Sequence, residues 1–211
     1  MSSRTCTDSS SSSSYPPIIS DNCRGIPCFK LVLIGDASIG KTQFLRRLFG
    51  AEFTELYCIT KGAEVFTKVF YTSLGPIGLT FWDTAGNDHF REQGEGYYIH
   101  ANCAILMFDV KNKKSYDKLE TLYKGFIQTL YPSSVPIVVC GNKQDCKLNQ
   151  REIKENEAAR FAERHQLSYF SMSVKTNYNT FKPIVYLLRK LTGDPHLQVS
   201  LDSSQRFTLS P

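Results

Sequence analysis

The sequence contains no run of about 20 apolar residues, no Cys-x-x-Cys pair and no dense block of one charge. Without a long apolar run, no segment is expected to span a membrane. The seven cysteines are scattered and odd in number, which argues against a zinc site or a disulfide framework and favours a reducing compartment. The net charge of +5 is mild, so direct binding to nucleic acid is not expected.

Lipidation signals are also missing from the sequence. Met1 is followed by Ser2 rather than by the glycine that N-myristoylation requires, and no cysteine lies close to Pro211 for prenylation. The first residues lack the positive start and apolar centre of a secretory signal. We therefore expect a protein without a membrane anchor.

Composition divides the 211 residues into three parts. Residues 1–22 are rich in serine, and the run from Ser9 to Ser14 has nothing to bury, so this extension is expected to be disordered. It could carry phosphates or be a passive tail. Residues 23–197 are long enough for one domain with a full core, and residues 198–211 read as a short polar tail.

Apolar strands alternate with amphipathic helices through the central part. The alternation predicts a doubly wound α/β domain with a mostly parallel sheet and helices on both faces. Ser115 is expected to cap a helix that ends near Leu130, and Gly193 with Pro195 is expected to close the last helix. The predicted strands are 29–34, 64–70, 77–82, 104–108, 136–140 and 168–172, of which the second and third form a hairpin. The other predicted helices end near residue 49 or span 156–165 and 181–191.

Residues 35–42, between the first strand and the first helix, match the phosphate-binding P-loop pattern of Gly, four residues, then Gly-Lys-Thr. The glycines let successive backbone N–H groups point at phosphate oxygens, and the helix that follows offers its free N–H groups and its positive dipole end. Lys41 can reach the β- and γ-phosphates, and the Thr42 hydroxyl can ligate Mg²⁺. The residues predicted to contact nucleotide here are Gly35, Asp36, Ala37, Ser38, Ile39, Gly40, Lys41, Thr42 and Gln43.

Two further motifs follow later strands. Asp83 in Asp-Thr-Ala-Gly could hold Mg²⁺ through water, and the N–H of Gly86 could reach a γ-phosphate. Asp145 in Asn-Lys-Gln-Asp could accept both donors of guanine, while Asn142 could bond N7 and Lys143 could cover the base plane.

Weaker candidates complete the predicted site. The tripeptide Ser173, Val174 and Lys175 could place a backbone N–H at the guanine O6. Thr60 could be the second hydroxyl ligand of Mg²⁺, and Phe53 could lie edge-on beside the base.

These motifs, in this order, resemble the small GTPases of the Ras superfamily, which are P-loop NTPases, and most closely the Ran branch. The resemblance covers roughly residues 27–197. The stretches that are similar to Ran are 81–86, 96–99, 103–105 with 107–110, 135–138, 140–143, 177–179, and 189–191 with 193–195.

The resemblance implies a small GTPase G-domain with a six-stranded sheet and five helices. It implies a monomeric switch that binds GTP, GDP and Mg²⁺ through switch I at residues 53–62 and switch II at residues 83–98. The implied activity is hydrolysis of GTP, the implied role is nucleocytoplasmic transport, and the implied location is the nucleus and the cytoplasm. The implied partners are importin- and exportin-type receptors, a chromatin-bound exchange factor and a GTPase-activating protein.

The sequence departs from the family pattern at the predicted catalytic centre. Ala37 and Ser38 replace a usual Gly-Gly, and Asn87 stands where the catalytic glutamine is expected. Tyr57 corresponds to a switch I tyrosine that contacts this glutamine in Ran, and Lys41 is the third residue expected to act in hydrolysis. We expect slow intrinsic hydrolysis, unless Asp88 or His89 positions the water instead or an activating partner supplies what is missing.

Two other departures concern partner binding. No acidic run follows residue 200, although Ran ends in an acidic tail, and the basic cluster at residues 162–165 is thinner than in Ran. A second interpretation is therefore a nucleotide-bound scaffold with little GTPase activity. A vesicle-traffic GTPase of the Rab type is disfavoured because nothing would anchor it to a membrane.

Overall fold

A computed structural model of the chain describes residues 25–54, 60, 62–86, 96–130 and 134–200. The predicted serine-rich extension and the residues after Ser200 lie outside the described residues. The strands of the described part are β1 (Cys28–Gly35), β2 (Ala63–Thr72), β3 (Gly75–Thr84), β4 (Cys103–Asp109), β5 (Ile137–Asn142), β6 (Ser168–Ser171) and β7 (Val199–Ser200).

One mixed sheet contains all seven of these strands, in the order β6-β5-β4-β1-β3-β2-β7. Strand β1 lies parallel to both neighbours, with Val32 opposite Trp82 on β3 and opposite Ala104 on β4. All eight residues of β1 are buried, as expected for a parallel strand that is covered on both faces. Strands β2 and β3 form the predicted antiparallel hairpin, which is longer than the sequence indicated.

Helices cover both faces of the sheet, which confirms the predicted α/β class. The helices of the first face pack against the sheet through side chains such as Phe44 and Leu187, and those of the second face through Phe126 and Phe161. The described α-helices of four residues or more are α1 (Lys41–Leu48) and α5 (Lys182–Thr192) on the first face, and α2 (Lys113–Asp117), α3 (Leu119–Leu130) and α4 (Glu155–Arg164) on the second. None of the described helices is both long and apolar enough to cross a membrane.

The prediction that Ser115 caps a helix is wrong, because Asn112 takes that position. Asn112 has an extended backbone, and its side-chain oxygen accepts a bond from the Ser115 backbone N–H at 3.4 Å. Ser115 lies inside α2, fully buried, and its hydroxyl donates to the Asn112 carbonyl at 2.7 Å. The other end of the domain follows the prediction, since Gly193 ends α5 in the left-handed conformation at φ 73°.

The sheet has one strand more than the six that were predicted. Val199 and Ser200, in the predicted polar tail, form β7 by pairing with Thr72 and Tyr71 at the open edge of β2. A two-residue strand carries no periodic signal, and its pairing depends on an edge formed far away in the sequence. The hydrogen-bonding groups of that edge explain why this segment is ordered.

Candidate functional site

A cavity of about 770 Å³ opens at the carboxyl ends of the parallel strands, where ligands bind in folds of this kind. Its volume lies within the range of small-molecule sites. The predicted site residues that line it are Ala37, Ser38, Gly40, Lys41, Thr42, Gln43, Phe53, Thr60, Gly86, Asn142, Lys143, Asp145, Val174 and Lys175.

Five other predicted site residues do not line the cavity but form hydrogen bonds with residues that do. The carbonyls of Gly35 and Asp36 accept from Lys41, Ile39 accepts from Asn142, Asp83 accepts from Thr42, and Ser173 donates to Asp145. The structure therefore brings the motifs that follow four separate strands, β1, β3, β5 and β6, into one site. Tyr57 and Asn87, together with Asp88 and His89, lie outside the described residues, so their roles stay predictions.

The P-loop surrounds the Lys41 ammonium. Its Nζ donates to the carbonyls of Gly35 and Asp36 at 2.9 Å each, and the residue is only 6% exposed. Burial lowers the pKa of Lys41 to about 8, while the nearby carboxylates of Asp83 and Asp36 act in the opposite direction. A buried cation held by loop carbonyls is suited to receive an anion, and phosphate is the anion that this loop geometry fits.

Gly40 is required at the end of the P-loop for two reasons. Its φ of 102° lies in the left-handed region, and a Cβ there would lie 2.6 Å from the Nδ2 atom of Asn142. Helix α1 begins at the next residue, Lys41, so its free N–H groups face the loop. This close approach places the loop against β5, which carries Asn142.

Three oxygen-bearing side chains meet beside Lys41. The Thr42 hydroxyl donates to Oδ2 of Asp83 at 2.6 Å and lies 3.1 Å from the hydroxyl of Thr60. Asp83 is fully buried, burial raises its pKa to about 6, and its Oδ1 has no hydrogen-bond partner among the described residues. An unpartnered buried carboxylate oxygen beside two hydroxyls fits Mg²⁺, which prefers oxygen ligands.

Other metals have less support at this site or elsewhere. Within the described ranges, no three His, Cys, Asp or Glu side chains are grouped so that they could hold a metal ion.

Gly86 touches the P-loop directly. A Cβ at Gly86 would lie 2.5 Å from the Cα atom of Ala37, and it would also meet the Ala37 backbone nitrogen and the Asp36 carbonyl carbon. Backbone therefore packs on backbone, and only glycine fits at position 86. Ala37, the first departure from the family pattern, lies at this contact.

At the other end of the cavity, Ser173 orients Asp145. The Ser173 hydroxyl donates to Oδ1 of Asp145 at 2.6 Å and accepts from the Thr176 backbone N–H at 3.2 Å. The Asp145 side chain is exposed to the cavity and keeps Oδ2 available. Sequence reasoning gave Ser173 only a backbone role and missed the hydroxyl, which no local motif marks.

Asn142 braces the site as well as lining it. Its Nδ2 donates to the Ile39 carbonyl at 2.7 Å, and its Oδ1 accepts from the Val174 backbone N–H at 3.0 Å. The side chain thus joins the P-loop to the segment after β6. The bond to guanine N7 that the sequence suggested can come only from the second N–H of Nδ2.

Two ion pairs near the P-loop were missed. Lys143 donates to the Ser38 carbonyl at 2.9 Å and pairs with Asp109 at 2.8 Å, so its ammonium is anchored to the protein. Asp36 pairs with Lys118 at 3.0 Å, which offsets the negative charge that Asp36 would bring to a phosphate site. The partners lie far apart in sequence, which is why pattern reading did not find them.

A comparison with protein families gives one match. The profile of the Ras family matches residues 30–192, from β1 to the last residue of α5. The matched range includes every predicted site residue.

Proposed function

Because the chain belongs to the Ras family of small GTPases, we propose that it is a Ran-type GTP switch with slow intrinsic hydrolysis. Members of this family bind GTP or GDP with Mg²⁺ and generally interact with exchange factors and activating proteins. The observation that carries the proposal is the convergence of Thr42, Thr60 and Asp83 at the P-loop, with Asp145 at the far end of the same cavity.

The two ends of the cavity would bind different parts of the nucleotide. Lys41 and the N–H groups of the P-loop would hold the phosphates, while Thr42, Thr60 and Asp83 would hold Mg²⁺. When bound there, Mg²⁺ would neutralise negative charge on the phosphates. Asp145 would accept the two donors that distinguish guanine from adenine, and Ser173 would keep its carboxylate in place.

Slow hydrolysis is supported by the contact between Ala37 and Gly86. The Ala37 backbone lies against Gly86, the residue that precedes Asn87, and Ala37 adds a methyl group to this part of the P-loop. Asparagine is one methylene shorter than glutamine, so its amide would sit about one bond length further from an attacking water. Misplacement of that order costs roughly a hundredfold in rate. Neither residue is a Mg²⁺ or guanine ligand in this account, so binding should survive while turnover suffers.

A Ran-type role is supported by the sequence resemblance described above. The proposed partners are transport receptors of the importin and exportin type, an exchange factor and an activating protein, and the proposed location is the nucleus and the cytoplasm. In a pull-down with purified receptors of the importin type, the protein loaded with a GTP analogue should bind more strongly than the GDP form. Equal capture of both forms would favour the scaffold interpretation instead.

The nucleotide that co-purifies with the protein tests the binding part of the proposal. We expect GDP or GTP with one equivalent of Mg²⁺, released when EDTA is added, because Thr42, Thr60 and Asp83 would then lose the ion that they share with the phosphates. Adenine nucleotide in the purified protein would contradict the proposal.

A further inference from the structure

Lys30 is a buried cation on the face of the sheet that α3 and α4 cover. It is 4% exposed, its Nζ lies 3.8 Å from the centroid of the Trp82 ring, and it donates to the Ile99 carbonyl at 2.8 Å. No carboxylate pairs with it in the part of the chain that the structure describes. Burial alone lowers the pKa of Lys30 to about 8.

Packing does not require a charge at this position. Val32 and Ile34, the next residues of β1 on the same face, are apolar and buried. A buried ammonium is unfavourable unless other groups interact with it, and here an aromatic face and one carbonyl do so. The charge of Lys30 is therefore best explained by the groups that it holds in place, the Trp82 ring and the Ile99 carbonyl.

The backbone of Lys30 holds the same segment as its side chain. Its N–H donates to the Asn102 side-chain oxygen at 2.7 Å, and its carbonyl accepts from the Asn102 N–H at 2.9 Å. Residues 96–98 are helical, and residues 99–102 connect them to β4. Lys30 thus holds the connection that directly follows the predicted switch II through three hydrogen bonds, one to Ile99 and two to Asn102.

Trp82 links Lys30 to the start of the same segment. It precedes Asp83 on β3, and its ring packs on Tyr97 with the centroids 6.2 Å apart. Asp83 in turn accepts from Thr42 at the P-loop. One ammonium therefore touches the residue just before the predicted switch II, Trp82, and the residue just after it, Ile99.

We propose that Lys30 is a positioning residue that holds Trp82 and Ile99, the residues on either side of the predicted switch II, relative to each other. Through this contact, a change at Asp83 and Gly86 on exchange of GDP for GTP is passed to the Trp82 ring and to Ile99. The proposal rests on the proposed function as a GTP switch. Trp82, Ile99 and Asn102 are not among the residues that line the nucleotide cavity. In this proposal Lys30 therefore makes no direct contact with nucleotide and affects only how the GDP and GTP states differ.

The test combines affinity with the fluorescence of Trp82, which is the single tryptophan of the chain. The full-length protein and Lys30→Met are titrated with Mg²⁺·GDP and with Mg²⁺ and a non-hydrolysable GTP analogue. Lys30→Met should keep its GDP affinity within about twofold and lose about tenfold for the analogue, as expected for a desolvated cation–π contact. The emission difference between the two states should shrink in the same variant. Lys30→Arg keeps the charge and should restore both properties.

Lys68→Met is the matched control. Lys68 is 5% exposed on β2, and its Nζ lies 5.3 Å from the centroid of the Phe49 ring, so it is a buried lysine over an aromatic ring away from switch II. Its substitution should leave the ratio of the two affinities unchanged. Lys30→Gln removes the charge but keeps a donor, and it replaces Lys30→Met if that variant does not fold.

Two results would overturn the inference, and they differ. If Lys30→Met keeps the affinity ratio and the emission difference of the parent, as the Lys68 variant is expected to, then Lys30 has only a packing role. If the parent itself binds neither GDP nor the analogue, the proposed function fails and the inference fails with it.

Discussion

The Thr42 hydroxyl donates to the Asp83 carboxylate at 2.6 Å, although the two residues lie 41 positions apart in the chain. This bond joins the end of the P-loop to the end of β3, and Thr60 lies beside it with its hydroxyl 3.1 Å from that of Thr42. Two segments that should respond to the bound nucleotide therefore meet at one hydroxyl. The account of the protein as a switch depends on this arrangement.

The first prediction concerns Thr42. Thr42→Asn removes the hydroxyl that faces both Asp83 and Thr60, so Mg²⁺ affinity should fall by roughly 10- to 100-fold. GTP binding should weaken more than GDP binding, because Thr60 is expected to ligate Mg²⁺ only in the GTP state. Calorimetric titration of the protein with Mg²⁺, in the presence of each nucleotide in turn, measures both effects.

Thr129→Asn is a suitable control for that prediction. Thr129 is half-buried on α3, and its hydroxyl donates to the Gly125 carbonyl at 3.0 Å. This variant should bind Mg²⁺ and both nucleotides as the parent does. Equal loss in the two variants, or no loss in Thr42→Asn, would show that the Thr42 hydroxyl does not take part in metal binding.

The second prediction concerns the choice of base. Asp145→Asn should lose the preference for guanine and gain one for xanthine, because the amide presents a donor to the xanthine O2. Competition between GDP, ADP and xanthosine diphosphate for the same protein measures the change. Equal affinity of the parent for ADP and GDP would contradict the assignment of Asp145.

The variant Ser173→Ala tests whether the orientation of the Asp145 carboxylate matters for binding, because the carboxylate itself remains. The variant keeps Asp145 but removes the hydroxyl that donates to it at 2.6 Å. The loss of GDP affinity should be smaller, about 2- to 13-fold, in line with one hydrogen bond of about 0.5–1.5 kcal/mol. The order of bases should stay the same. A switch in base preference would mean that Ser173 itself reads the base.

The sequence was informative where chemistry is local. Residues 35–42 and Asn142 to Asp145 each carry their proposed function in consecutive positions, so their spacing, with the strand before each, predicted both motifs. From the sequence, Thr60 was only a weaker candidate for the second hydroxyl ligand of Mg²⁺, because the loop before Gly62 has no periodic pattern. The alternation of apolar segments similarly predicted the α/β class but not the exact strand ends.

Features that depend on tertiary contacts could not be predicted. Asp36 pairs with Lys118, 82 positions away, and Asn142 bridges Ile39 and Val174. Strand β7 has two residues and exists only because the edge of β2 is open. Asn112 and Ser115 are both good capping residues, and only the buried environment of the Ser115 hydroxyl decides between them.

The third prediction is a pH dependence of stability that comes from Lys30. Burial lowers its pKa from 10.5 to about 8 in the folded protein. Between these two values the unfolded chain binds more protons at this residue, so its contribution to the free energy of unfolding rises with pH from about 8 to 10.5. Below about pH 8 the buried charge makes its full unfavourable contribution.

Urea unfolding of the parent and of Lys30→Met, in the same excess of Mg²⁺·GDP, measures this effect at pH 7.5 and at pH 9.5. Lys41 also has a pKa near 8, but it is present in both proteins, so the difference between them isolates Lys30. As the pH rises, the free energy of unfolding of the parent should increase relative to that of Lys30→Met. If the difference in the free energy of unfolding between the two proteins does not change with pH, the charge of Lys30 does not destabilise the folded protein.

The fourth prediction tests the central claim, that this chain is a GTP switch with impaired hydrolysis. In single-turnover hydrolysis of GTP by purified protein, the parent should fall below the range of about 10⁻⁴ to 10⁻³ per second that is typical of unassisted GTPases. Asn87→Gln alone, and more so Asn87→Gln with Ala37→Gly, should raise the rate, by up to roughly a hundredfold. GTP affinity should change little, since neither position ligates Mg²⁺ or guanine. A parent rate equal to that of the doubly restored variant would contradict the account.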